Sequence, residues 1–145
     1  MAANATVAVY ATRDVIFVIS QQMTDHGRVS IEPMLKIDRT AAAGVAGEAV
    51  LQCLDAFQEI DGPPRTEHLK QLLGLVGARS WTAFAKSAIN VSVEGLTKDR
   101  VSMCAARADG RGAYAYGPSR ECDREPGAVG ELLLEMIDEL SPAGR

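Results

Sequence analysis

Val15-Ile16-Phe17-Val18-Ile19-Ser20 is the stretch whose reading decides the fold. Four β-branched residues and one aromatic in unbroken succession describe a well-buried strand, because such side chains pack on a pleated surface. The run is far too short to cross a bilayer. Upstream, Val7 and Val9 fit an edge strand or the start of a hairpin. Downstream, Asp25-His26-Gly27 marks a turn, after which Val29, Ile31, Leu35 and Ile37 share one parity while Ser30, Glu32 and Lys36 share the other. That alternation describes a half-buried strand. Pro33 inside it requires an edge position or a bulge, since proline has no N–H to donate to a ladder.

Helical spacing begins after Thr40, a predicted N-cap for a helix reaching about Gln58. Ala46, Ala49, Val50, Cys53, Leu54 and Phe57 form its core stripe, and Glu48, Gln52, Asp55 and Glu59 are placed on the opposite, wet face. Gly44 and Gly47 weaken the helix but permit a neighbouring element to come close. Asp61-Gly62-Pro63-Pro64 breaks the chain. A shorter helix from about Pro64 to Leu75 presents Leu69, Leu72, Leu73 and Val76 inward, with Gly77 as its stop. Ser80 caps a further turn in which Trp81 and Phe84 share a side.

Two antiparallel strands follow, Ile89-Val91-Val93 and Val101-Met103-Ala105, joined through Gly95 to Arg100. Ala113 to Tyr116 reads as a short strand. Pro126 opens a last helix with Val129, Leu132, Leu133, Met136, Ile137 and Leu140 as its apolar stripe, and Ser141 to Arg145 reads as a fraying tail. The expected fold is therefore α+β: a single antiparallel or mixed sheet of about five strands, with two main helices and a short helix packed on one face. One domain is expected over residues 1–145, with flexible ends at about 1–5 and 141–145. Strict strand and helix alternation is absent, which argues against a parallel dinucleotide-binding fold.

The composition is that of a folded globular chain, 47 % hydrophobic and 23 % charged in 145 residues. Fifteen Lys and Arg against nineteen Asp and Glu give a net charge of -4, which disfavours direct nucleic-acid binding. The distribution is uneven. Residues 40–62 hold four acids and no base, and residues 121–140 hold seven acids against Arg124 alone. Residues 63–120 reverse this, with nine bases and four acids. No basic leader precedes a long apolar run, so no stable membrane insertion is expected. Three cysteines, Cys53, Cys104 and Cys122, match neither a disulfide framework nor a zinc knuckle and suit a reducing cytoplasm.

Catalytic patterns are sparse. The only histidines, the easiest general bases near neutral pH, are His26 in a turn and His68 near a helix start. Cys53 lies on a core stripe. Glu48 with Asp55 is a carboxylate pair on spacing, but a solvated helix face explains both. Gly44-Val45-Ala46-Gly47 and Gly74-Leu75-Val76-Gly77 match no phosphate loop, and HExxH, CxxC and calcium-loop patterns are missing, so no metal and no cofactor is expected. Tyr10, Tyr114 and Tyr116 with Arg107 and Arg111 carry too little positive charge for a nucleic-acid platform. Recognition by an acidic surface remains, with Glu48, Gln52, Asp55 and Glu59 as the main patch and Glu121 and Asp123 as the second.

Four segments carry a family likeness: Val15-Ile16-Phe17-Val18, Ile31-Glu32-Pro33, Gly47-Glu48-Ala49-Val50-Leu51, and Leu72-Leu73 through Gly77-Ala78-Arg79-Ser80-Trp81-Thr82-Ala83-Phe84. Over most of residues 7–140 the chain resembles immunity proteins of bacterial contact-dependent growth-inhibition systems. The resemblance implies cytoplasmic binding of the C-terminal toxin domain delivered by a neighbouring cell, often a nuclease, and no turnover. A basic toxin domain is the partner that charge favours. The competing readings are a small enzyme or small-ligand-binding domain with a deep polar pocket, and an oligomeric adaptor with an exposed apolar patch.

Overall fold

The computed structural model describes residues 4–63, 67–108 and 114–141, with the side chains at 67, 68, 108, 114 and 115 outside that description. In chain order the elements are β1 (Thr6–Ala11), β2 (Val15–Thr24), β3 (Gly27–Asp38), α1 (Ala43–Asp55), β4 (Gln58–Glu59), α2 (Glu67–Val76), α3 (Trp81–Ser87), β5 (Ile89–Gly95), β6 (Arg100–Ala108), β7 (Tyr114–Tyr116), β8 (Arg120–Asp123) and α4 (Pro126–Leu140). The fold is α+β with a mixed sheet. Its eight strands exceed the expected five and run β3-β2-β1-β5-β6-β7, with β4 added to β2 and β8 to β6. All pairs are antiparallel except β4 on β2.

The decisive stretch is buried on both sides. Ile16 and Val18 face the larger core with Val7, Val9, Val91, Val93, Val101 and Met103, where α1 and α4 supply Val50, Leu54, Val129, Leu133 and Ile137. Phe17 and Ile19 face the other way and join Ala8, Leu72, Phe84 and Ala88 beneath α2 and α3. The helices therefore cover both faces of the sheet, correcting the single covered face expected from element order. An unbroken apolar strand has two faces to hide. Each fully buried aliphatic side chain contributes roughly 1.5–3 kcal/mol relative to exposure.

Strand β1 is central, lying between β2 and β5, so the edge placement of Val7 and Val9 does not hold, while the hairpin with β2 does. The edge is β3. Its register jumps where Ile19 opposes Met34 and Ser20 opposes Ile31, leaving Glu32 and Pro33 unpaired in a bulge. Proline is at home there because no ladder bond is asked of its nitrogen.

Helices α1 and α4 touch backbone to backbone. A Cβ on Gly47 would stand 1.7 Å from the Pro126 carbonyl oxygen, and one on Gly130 would stand 1.7 Å from that of Ala43. Gly44 meets nothing, so only Gly47 of the two α1 glycines serves close approach. Thr40 does not cap α1. Its N–H and hydroxyl both donate to Asp38 Oδ1, at 2.8 and 2.6 Å, and Ala42 takes the cap position without a side-chain bond. Helix α4 begins at Pro126 as expected, with the Glu125 carboxylate accepting from the Gly127 and Ala128 N–H groups. In α3, Ser80 accepts from the Ala83 N–H, the predicted cap. Trp81 meets Tyr10 edge-on at 4.8 Å between ring centres and fixes α3 to the sheet. In α2, Leu72 is buried, but Leu69 is 52 % exposed instead of inward.

At the chain ends, Gly95 N–H donates to Ala5 O, and the Ser141 hydroxyl accepts from Arg39 while donating to Ile137 O. Residues 1–3 and 142–145, part of the expected flexible ends, lie outside the described residues.

Candidate functional site

The six residues chosen for partner binding are all exposed. Glu48, Gln52 and Asp55 occupy the outer face of α1, at helical spacing, because the opposite stripe of Ala46, Ala49, Val50, Cys53 and Leu54 is drawn into the core. Glu59 does not share that face. The helix ends with Ala56, and Gln58 and Glu59 run alongside Gln22 and Met23 of β2, where Gln22 Nε2 donates to Gln58 Oε1. The turn at Ala56 takes the chain off the helical screw, so the fourth position of the predicted face belongs to another surface.

Glu121 and Asp123 lie on β8, a strand absent from the sequence reading. Arg100 on β6 reaches both, 2.7 Å from Asp123 Oδ1 and 3.8 Å from Glu121 Oε1. Arg124, just past β8, is 3.3 Å from Asp55 Oδ1. The two predicted patches thus adjoin through Arg124, and three of their carboxylates already have an arginine. Helix α4 repeats the pattern, with Arg120 bridging Glu135 and Glu139 at 3.1 Å each and Arg39 bound to Asp138 at 3.1 Å. Hydrogen bonding to Glu135 raises the Arg120 pKa further.

Glu48 and Glu131 enter none of the ion pairs among the described residues. Both are exposed, and each directly follows a glycine of the helix contact, Gly47 or Gly130. Glu131 was missed as a binding candidate; its signal was its place on the polar face of the last helix. The layer of α1, β8 and α4 is thus acidic in excess, with its arginines spent on Asp55, Glu121, Asp123, Glu135, Asp138 and Glu139. Exposed pairs of this kind are worth about 0–1 kcal/mol, so they shape the field more than they hold the fold.

Of the thiols, only Cys122 lies in this layer, on β8 between Glu121 and Asp123. Cys53 is fully buried, and burial pushes its pKa up, in keeping with a core residue. Cys104 Sγ lies 3.3 Å from Gly117 O and 3.2 Å from Ser119 Oγ. Burial also raises the Cys122 thiol. His26 is exposed in its turn, and the His68 side chain lies outside the described residues. Tyr10 is packed against Trp81 and Phe84, and the Tyr116 hydroxyl donates to Asn90 Oδ1; Arg111 and the Tyr114 side chain lie outside the described residues. Among the described residues no group of three or more His, Cys, Asp or Glu is placed to hold a metal ion. No described helix is long and apolar enough to cross a membrane.

The fold has solved counterparts. A protein of unknown function from Neisseria meningitidis superposes with a TM-score of 0.72 at 16% identity, covering 91% of this chain and 93% of that one. A chain of the CdiA-CT/CdiI toxin and immunity complex from Yersinia pseudotuberculosis superposes with a TM-score of 0.69 at 14% identity, covering 94% of this chain and 96% of that one. At these identities the likeness is one of fold. No protein-family model matches the sequence, and no curated protein matches it.

Proposed function

We propose that the chain is an immunity protein that binds a cognate toxin domain and neutralises it without turnover. The observation that carries this reading is the shared fold with a chain of a toxin and immunity complex, over 94% of the residues here. The acidic layer of α1, β8 and α4 supports a basic partner, a nuclease domain above all, because a surface that holds a phosphate backbone must be positive. Glu48, Gln52, Asp55, Glu121 and Asp123, with Glu131 added, face that partner and occlude its active or substrate-binding site. Glu59, on β4 beside β2, lies off this face and is not counted in it. Opposite fields accelerate encounter and select orientation, and apolar contacts then set the lifetime. The protein acts in the cytoplasm of the producing cell.

Co-expression with the C-terminal domain of a large secreted protein encoded beside this chain tests the reading. A stable complex and loss of the toxin's activity are expected. A domain that neither co-purifies nor loses activity contradicts the proposal.

A further inference from the structure

At the end of the sheet where β1 turns into β2, a cleft of about 740 Å³ opens between elements far apart in sequence. Arg13 comes from the β1–β2 turn, Arg39 from the end of β3, Lys86 from α3 and Arg107 from β6. Ala11, Ala88 and Ile89, all buried, form its apolar floor. None of its lining residues among the described residues is acidic. Arg39 is held in place, its side chain 17% exposed, by Asp138 at 3.1 Å and the Ser141 hydroxyl at 2.8 Å. Arg13, Lys86 and Arg107 are exposed and enter no ion pair among the described residues. Asp38, close by in the chain at the end of β3, is engaged by Thr40 and does not line the cleft.

In a chain of net charge -4, gathering Arg13, Lys86 and Arg107 around one cavity beside the already paired Arg39 is unfavourable unless a further anion joins them. The cavity volume lies within the roughly 300–1,000 Å³ of small-molecule sites. Guanidinium forks match phosphate oxygens, and a lysine adds a point charge. The apolar floor asks for more than an inorganic ion. We propose that the cleft binds a small organic phosphate of about mononucleotide size, its phosphates toward Arg13, Lys86 and Arg107 and its organic part over Ala11, Ala88 and Ile89. This site meets the acidic layer only at the end of α4, through the Arg39–Asp138 pair and Ser141, and does not depend on the toxin-binding reading.

Adenosine triphosphate serves as the probe, titrated at low salt against the full chain by calorimetry and amide chemical shifts. Saturable binding is expected, tighter than for inorganic triphosphate, with shifts at Thr12, Arg13, Ser87 and Ile89, and weakening as salt is raised. Lys86→Glu with Arg107→Glu lowers the affinity about tenfold or more, a change of sign at two contacts. Both side chains are exposed, and an Arg13→Glu variant repeats the test if the double variant misfolds. Adenosine alone does not bind. The proposal is overturned by absent saturation, by affinity unchanged in folded charge-reversal variants, or by equal binding of inorganic triphosphate. It is overturned as well by a short polyglutamate peptide that outcompetes the nucleotide, which would assign the cleft to a protein segment.

Discussion

On the α1, β8 and α4 layer, carboxylates meet arginines: Asp55 has Arg124, Glu121 and Asp123 share Arg100, and Glu135 and Glu139 share Arg120. At the end of the sheet where β1 turns into β2, Arg13, Lys86 and Arg107 surround a cleft and have no carboxylate in any described ion pair. A sequence dense in acids has thus been partly neutralised by its own fold, whereas a sparse set of bases has been left bare. Local charge density in a chain and local charge on a surface are different quantities, because tertiary pairing intervenes between them. Glu48 and Glu131, two exposed carboxylates outside the described ion pairs, therefore weigh more in the external field than the count of acids suggests.

The acidic layer depends on the helix contact beneath it, and breaking that contact gives the largest effect. Gly47→Ala or Gly130→Ala puts a Cβ 1.7 Å from a backbone oxygen, so separation of the helices costs about 3 kcal/mol or more. Urea unfolding measures it, and a loss below about 1 kcal/mol would mean that α1 and α4 part easily. Gly44→Ala is the control, with open space around it and no comparable cost.

The next effect is on encounter. Glu48→Lys with Glu131→Lys slows association with a basic toxin domain about tenfold at low salt and far less at high salt. Stopped-flow kinetics reads the change, with the unfolding midpoint held as a check on the scaffold. Arg124→Ala acts in the opposite direction. It frees Asp55, so association quickens a few-fold while stability falls by about 1 kcal/mol or less. Slower association after loss of Arg124 would show that the arginine itself touches the partner.

Much of the scaffold was legible. The apolar run at Val15, the parity of β5 and β6, the stripe of α4 and the bulge around Pro33 all follow from periodicity and the chemistry of proline. Strand β8 was not legible, because Arg120-Glu121-Cys122-Asp123 offers a single apolar residue and pairs only once β6 is in place. Glu59 was misplaced because helical spacing continues in the sequence past Ala56, where the backbone leaves the helix. The basic cleft left no local signal. Its four cations come together only when the sheet pairs and brings the β1–β2 turn, the end of β3, α3 and β6 side by side.

The smallest effect concerns the loop that leads into α1. Hydrogen bonds from the Thr40 hydroxyl and N–H hold the Asp38 carboxyl below the ordinary carboxylate range. A folded value below the unfolded one means that this contribution is present above the unfolded pKa and is lost as pH falls through the folded pKa. Thr40→Val removes the hydroxyl, so the Asp38 titration moves upward, as followed by side-chain carboxyl NMR. An unmoved titration would place the cause elsewhere.

The central claim is that an acidic helical layer steers this chain onto a cationic toxin domain. Its most direct test is the association rate with that domain across a salt series, for the native chain and for the Glu48→Lys, Glu131→Lys variant. The account predicts a rate that falls steeply with salt in the native chain and a shallow dependence in the variant. Equal slopes for the two proteins would contradict it.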